Sequence, residues 1–201
     1  MNSTQGADAE HGKGGKKTTT GRTILEYVVL AVVAIAVALL IQAFLVKPYR
    51  IPSESMENTL LIGDRVLVDR ISWRFSDPQR QDIVVFHPPF EGPVLIKRVI
   101  GMPGDEISLK DGAVYVNGNK LDEPYVRTTA DGETVPTQPF DNGLPWSLQQ
   151  PYTVPAGNYF VMGDNRTDSG DSREFGPVPR GQLVGKAFAR YWPPGRIGGV
   201  D

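Results

Sequence analysis

Two serines in a Pro-bounded turn, a lysine inside an apolar strand and a run of Asp, Arg and Ser in a third segment are the side chains here with reactive chemistry to offer. The turn is Pro52-Ser53-Glu54-Ser55-Met56-Glu57-Asn58-Thr59-Leu60, and the lysine is Lys97 in VLIKRVIGMPGD. Period-two alternation sets Leu95, Lys97 and Val99 on one face of that strand and Ile96, Arg98 and Ile100 on the other, so each face carries a cation between apolar residues. Burial penalises the charged form of a lysine and lowers its pKa, by up to about 3 to 5 units when complete. A lysine that is neutral near pH 7 is a general base, and a general base beside a serine hydroxyl makes a nucleophile. The third segment, Gly163-Asp164-Asn165-Arg166-Thr167-Asp168-Ser169-Gly170-Asp171-Ser172-Arg173, follows the apolar run Tyr159–Met162 and mixes turn residues with both signs of charge. Each segment also has an ordinary reading: a helix cap, a salt-bridged strand, and a loop with an internal Asp–Arg pair.

Composition removes the main competitors. There is no cysteine, which excludes a thiol nucleophile, a disulfide framework and a thiolate metal site, and His11 and His87 are the only histidines, too few for a multi-histidine centre. No metal and no cofactor are therefore expected. No P-loop, GxGxxG, HExxH or GxSxG pattern occurs, and His87 sits in HPPF, better read as a solvent-side histidine of a Pro-flanked loop than as a triad base. The 21 Lys plus Arg nearly balance 23 Asp plus Glu, which argues against nucleic acid as a partner.

The elements that must position these residues divide in two. Ile24 to Val46 is 23 residues with only Glu26 and Gln42 strongly polar, and as a helix it spans about 34 Å, enough to cross a hydrocarbon core of about 30 Å. It lacks the polar stripe of a soluble core helix and is longer than a signal h-region, so a retained transmembrane helix is expected over 24–46. Residues 1–23, rich in Gly, Thr and Lys, read as a disordered tail. Lys13, Lys16, Lys17 and Arg22 precede the span and only Lys47 and Arg50 follow it closely, four against two, which puts the N-terminus in the cytoplasm and 47–201 outside. From Pro48 onward dense Gly and Pro punctuate short β-branched runs, the pattern of an antiparallel all-β domain. Val66–Val68, Ile83–Phe86, Val94–Ile100 and Tyr159–Met162 read as strands. Asp111-Gly112 and Asn117-Gly118 read as hairpin turns, and Asp122–Pro155 as a loop-dominated excursion. Ile71–Phe75 and Tyr191-Trp192 hold aromatics that suit either a core or a membrane interface.

Taken in order, PSESM, the strand Gly63-Asp64-Arg65-Val66-Leu67-Val68, KRVIGMPGD and GDNRTDSGDSREFGPV resemble the ordered boxes of the bacterial type I signal peptidases, over most of Tyr49–Val178. The single span before the serine box is similar to the one-pass members. The resemblance implies a mainly β fold with a small accessory excursion, reduced here to about 106–158. It also implies a serine endopeptidase that removes signal peptides after Ala-x-Ala sites. Position by position it implies Ser55 as nucleophile and Lys97 as general base. Ser53, with the backbone N–H of Ser55, becomes the oxyanion hole, Ser169 the residue that orients the lysine, and Asp171 and Arg173 a bracing ion pair. Ile51, Pro52, Met56, Leu95 and Ile96 become shallow pockets for small side chains. Leu95 departs from members that carry an aromatic there. Signal peptides, membrane lipid and the export translocon are the implied partners, and the cell membrane the location. Rival readings are a self-cleaving Ser/Lys repressor, which would carry a DNA-binding module where the apolar span stands, a non-catalytic surface binding protein, and an inactive homologue.

Overall fold

The computed structural model describes residues 19–44, 46–71 and 75–200, with the side chains of 19–20 and 40–44 left aside. Helix α1 runs Thr19–Phe44. It begins five residues before the expected Ile24, because Thr19 to Thr23 continue the helical turn and Arg22 Nε reaches Glu26 Oε1, one turn on, at 3.3 Å. Its Gly21–Leu39 stretch is long and apolar enough to cross a membrane and is unburied by the protein. The helix stops two residues short of Val46, because Val46 already pairs with Asp69 as the first residue of a strand. Of the tail expected to be disordered over 1–23, residues 19–23 are instead helical, and 1–18 lie outside the described residues.

The rest of the chain is mainly β, as expected. In order come β1 (Val46–Arg50), β2 (Arg65–Asp69), β3 (Ile83–Phe86), β4 (Leu95–Gly101), β5 (Glu106–Lys110), β6 (Ala113–Val116), β7 (Asn119–Lys120), β8 (Tyr152–Thr153), β9 (Asn158–Met162), β10 (Val178–Pro179), β11 (Leu183–Trp192) and β12 (Gly198–Gly199). They form two antiparallel sheets among the described residues. The larger is ordered β1-β2-β11-β3-β4-β9-β10, with β12 on β11, and the smaller β7-β6-β5-β8. The central strand β3 is Ile-Val-Val-Phe, buried at every position. An apolar run without alternation is what a strand covered on both faces requires. Ile83 and Val85 point into one core cluster with Ile51, Met56 and Ile96, while Val84 and Phe86 point into another with Val99, Val161 and Leu183. Each fully buried Val, Ile or Phe contributes roughly 1.5–3 kcal/mol.

The smaller sheet fills the accessory excursion. Asp111-Gly112 and Asn117-Gly118 both turn with positive φ (53° and 74°; 52° and 77°), the two-residue geometry that matches strand twist. Between 122 and 151 turns predominate, with one 3-10 turn at Pro145–Ser147 and an isolated bridge between Thr128 and Thr134. A third cluster, including Ile100, Ile107, Val114, Phe160 and Met162, joins this sheet to β4 and β9. Residue 158 belongs to β9 of the larger sheet, so the excursion closes slightly earlier than 106–158.

Candidate active site

The serine turn is held from below. Met56 and Leu60 are fully buried, and Leu60 N donates to Met56 O at 2.8 Å, so the apolar pair pins the turn to the core. Gly63, at φ +89°, then brings the chain back so that Ile51 N meets Asp64 O and Gly63 N meets Ile51 O, each at 2.9 Å. From above, Asn165 N donates to Ser55 O and Asn165 Nδ2 to Glu54 O, both at 3.2 Å. Gly163 is required by contact, since a Cβ there would collide with Ser169 Oγ and with the Ser55 carbonyl oxygen. These contacts bring the first and third sequence segments together around one serine.

Strand β4 supplies the second segment. Lys97 is 3% exposed and its Nζ donates to Ser55 Oγ at 2.6 Å. Desolvation by burial lowers its pKa from 10.5 to about 8; the carboxylates of Asp171, Asp164 and Asp168 pull the other way and recover only part of the shift. Lys97 thus has a neutral fraction of about a tenth at pH 7, far above that of an ordinary lysine, and touches a serine that is 8% exposed. That is the arrangement from which a proton leaves a hydroxyl for an amine.

The remaining expected residues lie close by. Ser53 Oγ is 3.4 Å from Ser55 Oγ. Ser169 is buried, and its hydroxyl donates to Asp171 Oδ2 at 2.9 Å; among the described residues its side chain makes no hydrogen bond with Lys97. Asp171 and Arg173 form a two-pronged pair, Nε to Oδ1 at 2.9 Å and an Nη to Oδ2 at 2.8 Å, both side chains buried. Those contacts, with donors from Gly163 N and Ser169, hold the Asp171 carboxyl below the ordinary range against its burial. Asp171 also caps α2 (Ser172–Phe175), a single helical turn in a stretch read from sequence as turn only.

Of the pocket set, Leu95 lines a cavity of about 520 Å3 that contains Ser53, Ser55 and Lys97 and is walled by Phe90 and Phe175. Ile51, Met56 and Ile96 instead sit together in the core cluster under the turn, and Pro52 is exposed away from the cavity. Their side chains are used by the core because the turn needs apolar anchors. His87 is exposed at the end of β3, as its Pro-flanked setting suggests. Of the aromatics, Phe75 is 86% and Trp192 47% exposed, and Trp73 lies outside the described residues.

Several residues that position the site were given no role from sequence. Arg98 grips Asp164 with two prongs at 2.9 and 2.8 Å, and Thr59 Oγ1 donates to the same carboxylate at 2.5 Å. Arg166 pairs with Glu123 of the excursion and donates to Thr137 Oγ1 at 2.8 Å. Arg98 and Asp164 carried a signal, two charges in otherwise apolar or turn contexts; Glu123 carried none.

The chain is similar to known proteins over most of its length. The model of the family "Signal peptidase, peptidase S26" matches residues 24–192. A probable signal peptidase I-2 of Synechocystis sp. is 40% identical over 184 residues, 89% of this chain and 74% of that one. Signal peptidase IB of Staphylococcus aureus is 37% identical over 175 residues, 86% of this chain and 91% of that one. The crystal structure of a signal peptidase I from Enterococcus faecalis V583 covers 55% of this chain and 97% of its own at 40% identity, with a TM-score of 0.47. The extent of the family match, with relatives aligned over most of both chains, establishes that this chain belongs to peptidase family S26, the signal peptidases.

Proposed function

We propose that the chain is a membrane-anchored serine endopeptidase that cuts signal peptides from exported preproteins with a Ser55/Lys97 dyad. The observation that carries this reading is the 2.6 Å contact between Lys97 Nζ and Ser55 Oγ in a buried setting. Neutral Lys97 takes the Ser55 proton as Oγ attacks the scissile carbonyl. The oxyanion is received by the Ser55 backbone N–H and the Ser53 hydroxyl. Lys97 returns the proton to the leaving amine, an ester forms on Ser55, and the same base activates water to hydrolyse it. Ser169, whose own proton goes to Asp171, keeps lone pairs with which to accept from the ammonium and orient it. Asp171 and Arg173 brace that loop.

A peptide is held by strand addition. Leu95 to Lys97 pair with β3 on one side, but β9 ends opposite Arg98, which leaves their other edge without a ladder partner among the described residues. An extended chain laid there runs past Ser55. Selection of Ala-x-Ala follows from a cleft bounded by Phe90, Leu95 and Phe175, with Ile51, Met56 and Ile96 already taken up by the core. α1 supplies the anchor, and the four-to-two charge bias supports a cytoplasmic N-terminus.

The test is mass-spectrometric cleavage of a preprotein peptide with an Ala-x-Ala site by the full chain in detergent. One cut after the second Ala, lost in Ser55→Ala and Lys97→Met, is expected. Cutting that survives Lys97→Met discards the lysine base, and cutting at unrelated sites discards the specificity. Ser53→Ala should retain the cut but lower kcat about 100- to 1000-fold.

A further inference from the structure

A second cavity, of about 660 Å3, is lined by Val94, the residue before β4, and its charged lining is wholly basic. Lys47, Arg70, His87 and Arg180 surround it, with Tyr49 and Val94 as apolar wall. Val94 and Leu95 are consecutive, and one lines this cavity while the other lines the catalytic cleft. Arg180 is paired with the exposed Asp77 at 3.4 Å. Arg70 makes no ion pair or hydrogen bond among the described residues, and Lys47 Nζ has only the Tyr49 ring, 5.4 Å away. Cations gathered without a carboxylate in the wall repel one another and are stabilised by an anion.

Two further observations identify that anion. Lys47 stands three residues after Phe44, the last residue of α1, so the cavity is tied to the end of the apolar helix by about 11 Å of chain at most. Phe75, 86% exposed, directly precedes Ser76, whose carbonyl accepts from an Arg180 Nη at 3.2 Å, so an apolar side chain adjoins a cation of the cluster. Cations with an exposed aromatic nearby, close in sequence to the end of the apolar helix, match a headgroup whose phosphate is charged and whose acyl chains are apolar. We propose that this cavity is a binding site for the phosphate of an anionic membrane lipid, held by Lys47 and Arg70 with His87 and Arg180 at its rim. The inference rests on the anchored reading of α1 and goes beyond it, since an anchor by itself needs no particular lipid. A headgroup held there would seat the β domain on the membrane that delivers the substrate.

The experiment reconstitutes the full chain in nanodiscs of phosphatidylcholine with 20% phosphatidylglycerol and counts lipids retained on the ejected protein by native mass spectrometry. Wild type should retain one phosphatidylglycerol in strong preference to phosphatidylcholine. Lys47→Gln/Arg70→Gln should lower that preference about thirty-fold, at about five-fold per cation lost near a membrane surface. Lys120→Gln, on β7 of the smaller sheet, should leave it unchanged, and all forms should cut a soluble peptide at the wild-type rate. Equal retention by wild type and the double variant overturns the site while leaving the anchor and protease readings intact. Displacement of the retained lipid by millimolar inorganic phosphate assigns the cavity to free phosphate and overturns the lipid. A chain that fails to enter the discs overturns the anchor and this site with it, and peptide cleavage in detergent then judges the dyad separately.

Discussion

Lys97 and Arg98 are neighbouring cations on one strand, 3% and 1% exposed, and they face opposite ways into different company. Arg98 meets two oxygens of Asp164, the carbonyl of Gln81 at 2.9 Å and the ring of Tyr125 at 3.9 Å. Lys97 meets one hydroxyl, that of Ser55. The two faces of β4 show that burial alone does not decide what a charge is for. A buried cation with a complete set of acceptors is a brace, because its charge is compensated. A buried cation whose nearest acceptor is a serine is held close to giving up its proton, and that instability is chemically useful.

The sharpest way to break the contrast is to make position 97 resemble position 98. Lys97→Arg keeps the cation but cannot release a proton near neutral pH, so kcat should fall about 10^4-fold or more, measured by single-turnover cleavage, with the circular dichroism spectrum unchanged. Removing the brace is the next largest effect. Arg98→Met or Asp164→Asn strands one buried charge and should destabilise by about 3–5 kcal/mol in chemical denaturation.

Lys97→Met should act in the opposite sense on stability. Because Lys97 titrates near 8 in the fold and near 10.5 when unfolded, protonation favours the unfolded chain, and wild-type stability rises with pH between those values. The variant removes that penalty and should be more stable at neutral pH by up to about 3 kcal/mol, with the gap closing as pH approaches 10.5. Wild-type kcat/KM should rise from the acid side to a midpoint near 8 and then level, since only the neutral amine accepts the Ser55 proton. A stability gap that does not change between pH 7 and 10 would mean that Lys97 is compensated much as Arg98 is. The smallest effect is at the rim of the brace, where Tyr125→Leu should cost about 1 kcal/mol by removing the ring beneath the Arg98 guanidinium.

Much of this contrast was legible in the residues. Alternation in VLIKRVIG separated Lys97 from Arg98 correctly, since Leu95 and Val99 pack in one cluster while Ile96 packs in another. Which of the two cations would keep a carboxylate was not legible. Asp164 lies 66 positions from Arg98, and nothing local marks it as that partner rather than a partner for Lys97. Long separation in sequence likewise hid Glu123 as the mate of Arg166 and Asn165 as the clamp on the Ser55 carbonyl. For the pocket the resemblance offered five residues, and only Leu95 lines the cleft, because the turn that presents Ser55 consumes Ile51 and Met56 as anchors.

By itself the sequence determined what is local or compositional: an apolar helix too uniform for a soluble core, hairpins at Asp111-Gly112 and Asn117-Gly118, a thiol-free chemistry, and a lysine in an apolar strand. Those follow from side-chain period and backbone preference, which act over a few residues. Only the tertiary structure decided that β4 stands beside the serine turn, that Gly163 lets the third segment reach Ser55, and that the basic residues 47, 70, 87 and 180 share one cavity. These depend on strands distant in sequence becoming neighbours, and the free energy that selects such neighbours is burial of the whole core rather than the preference of any one segment.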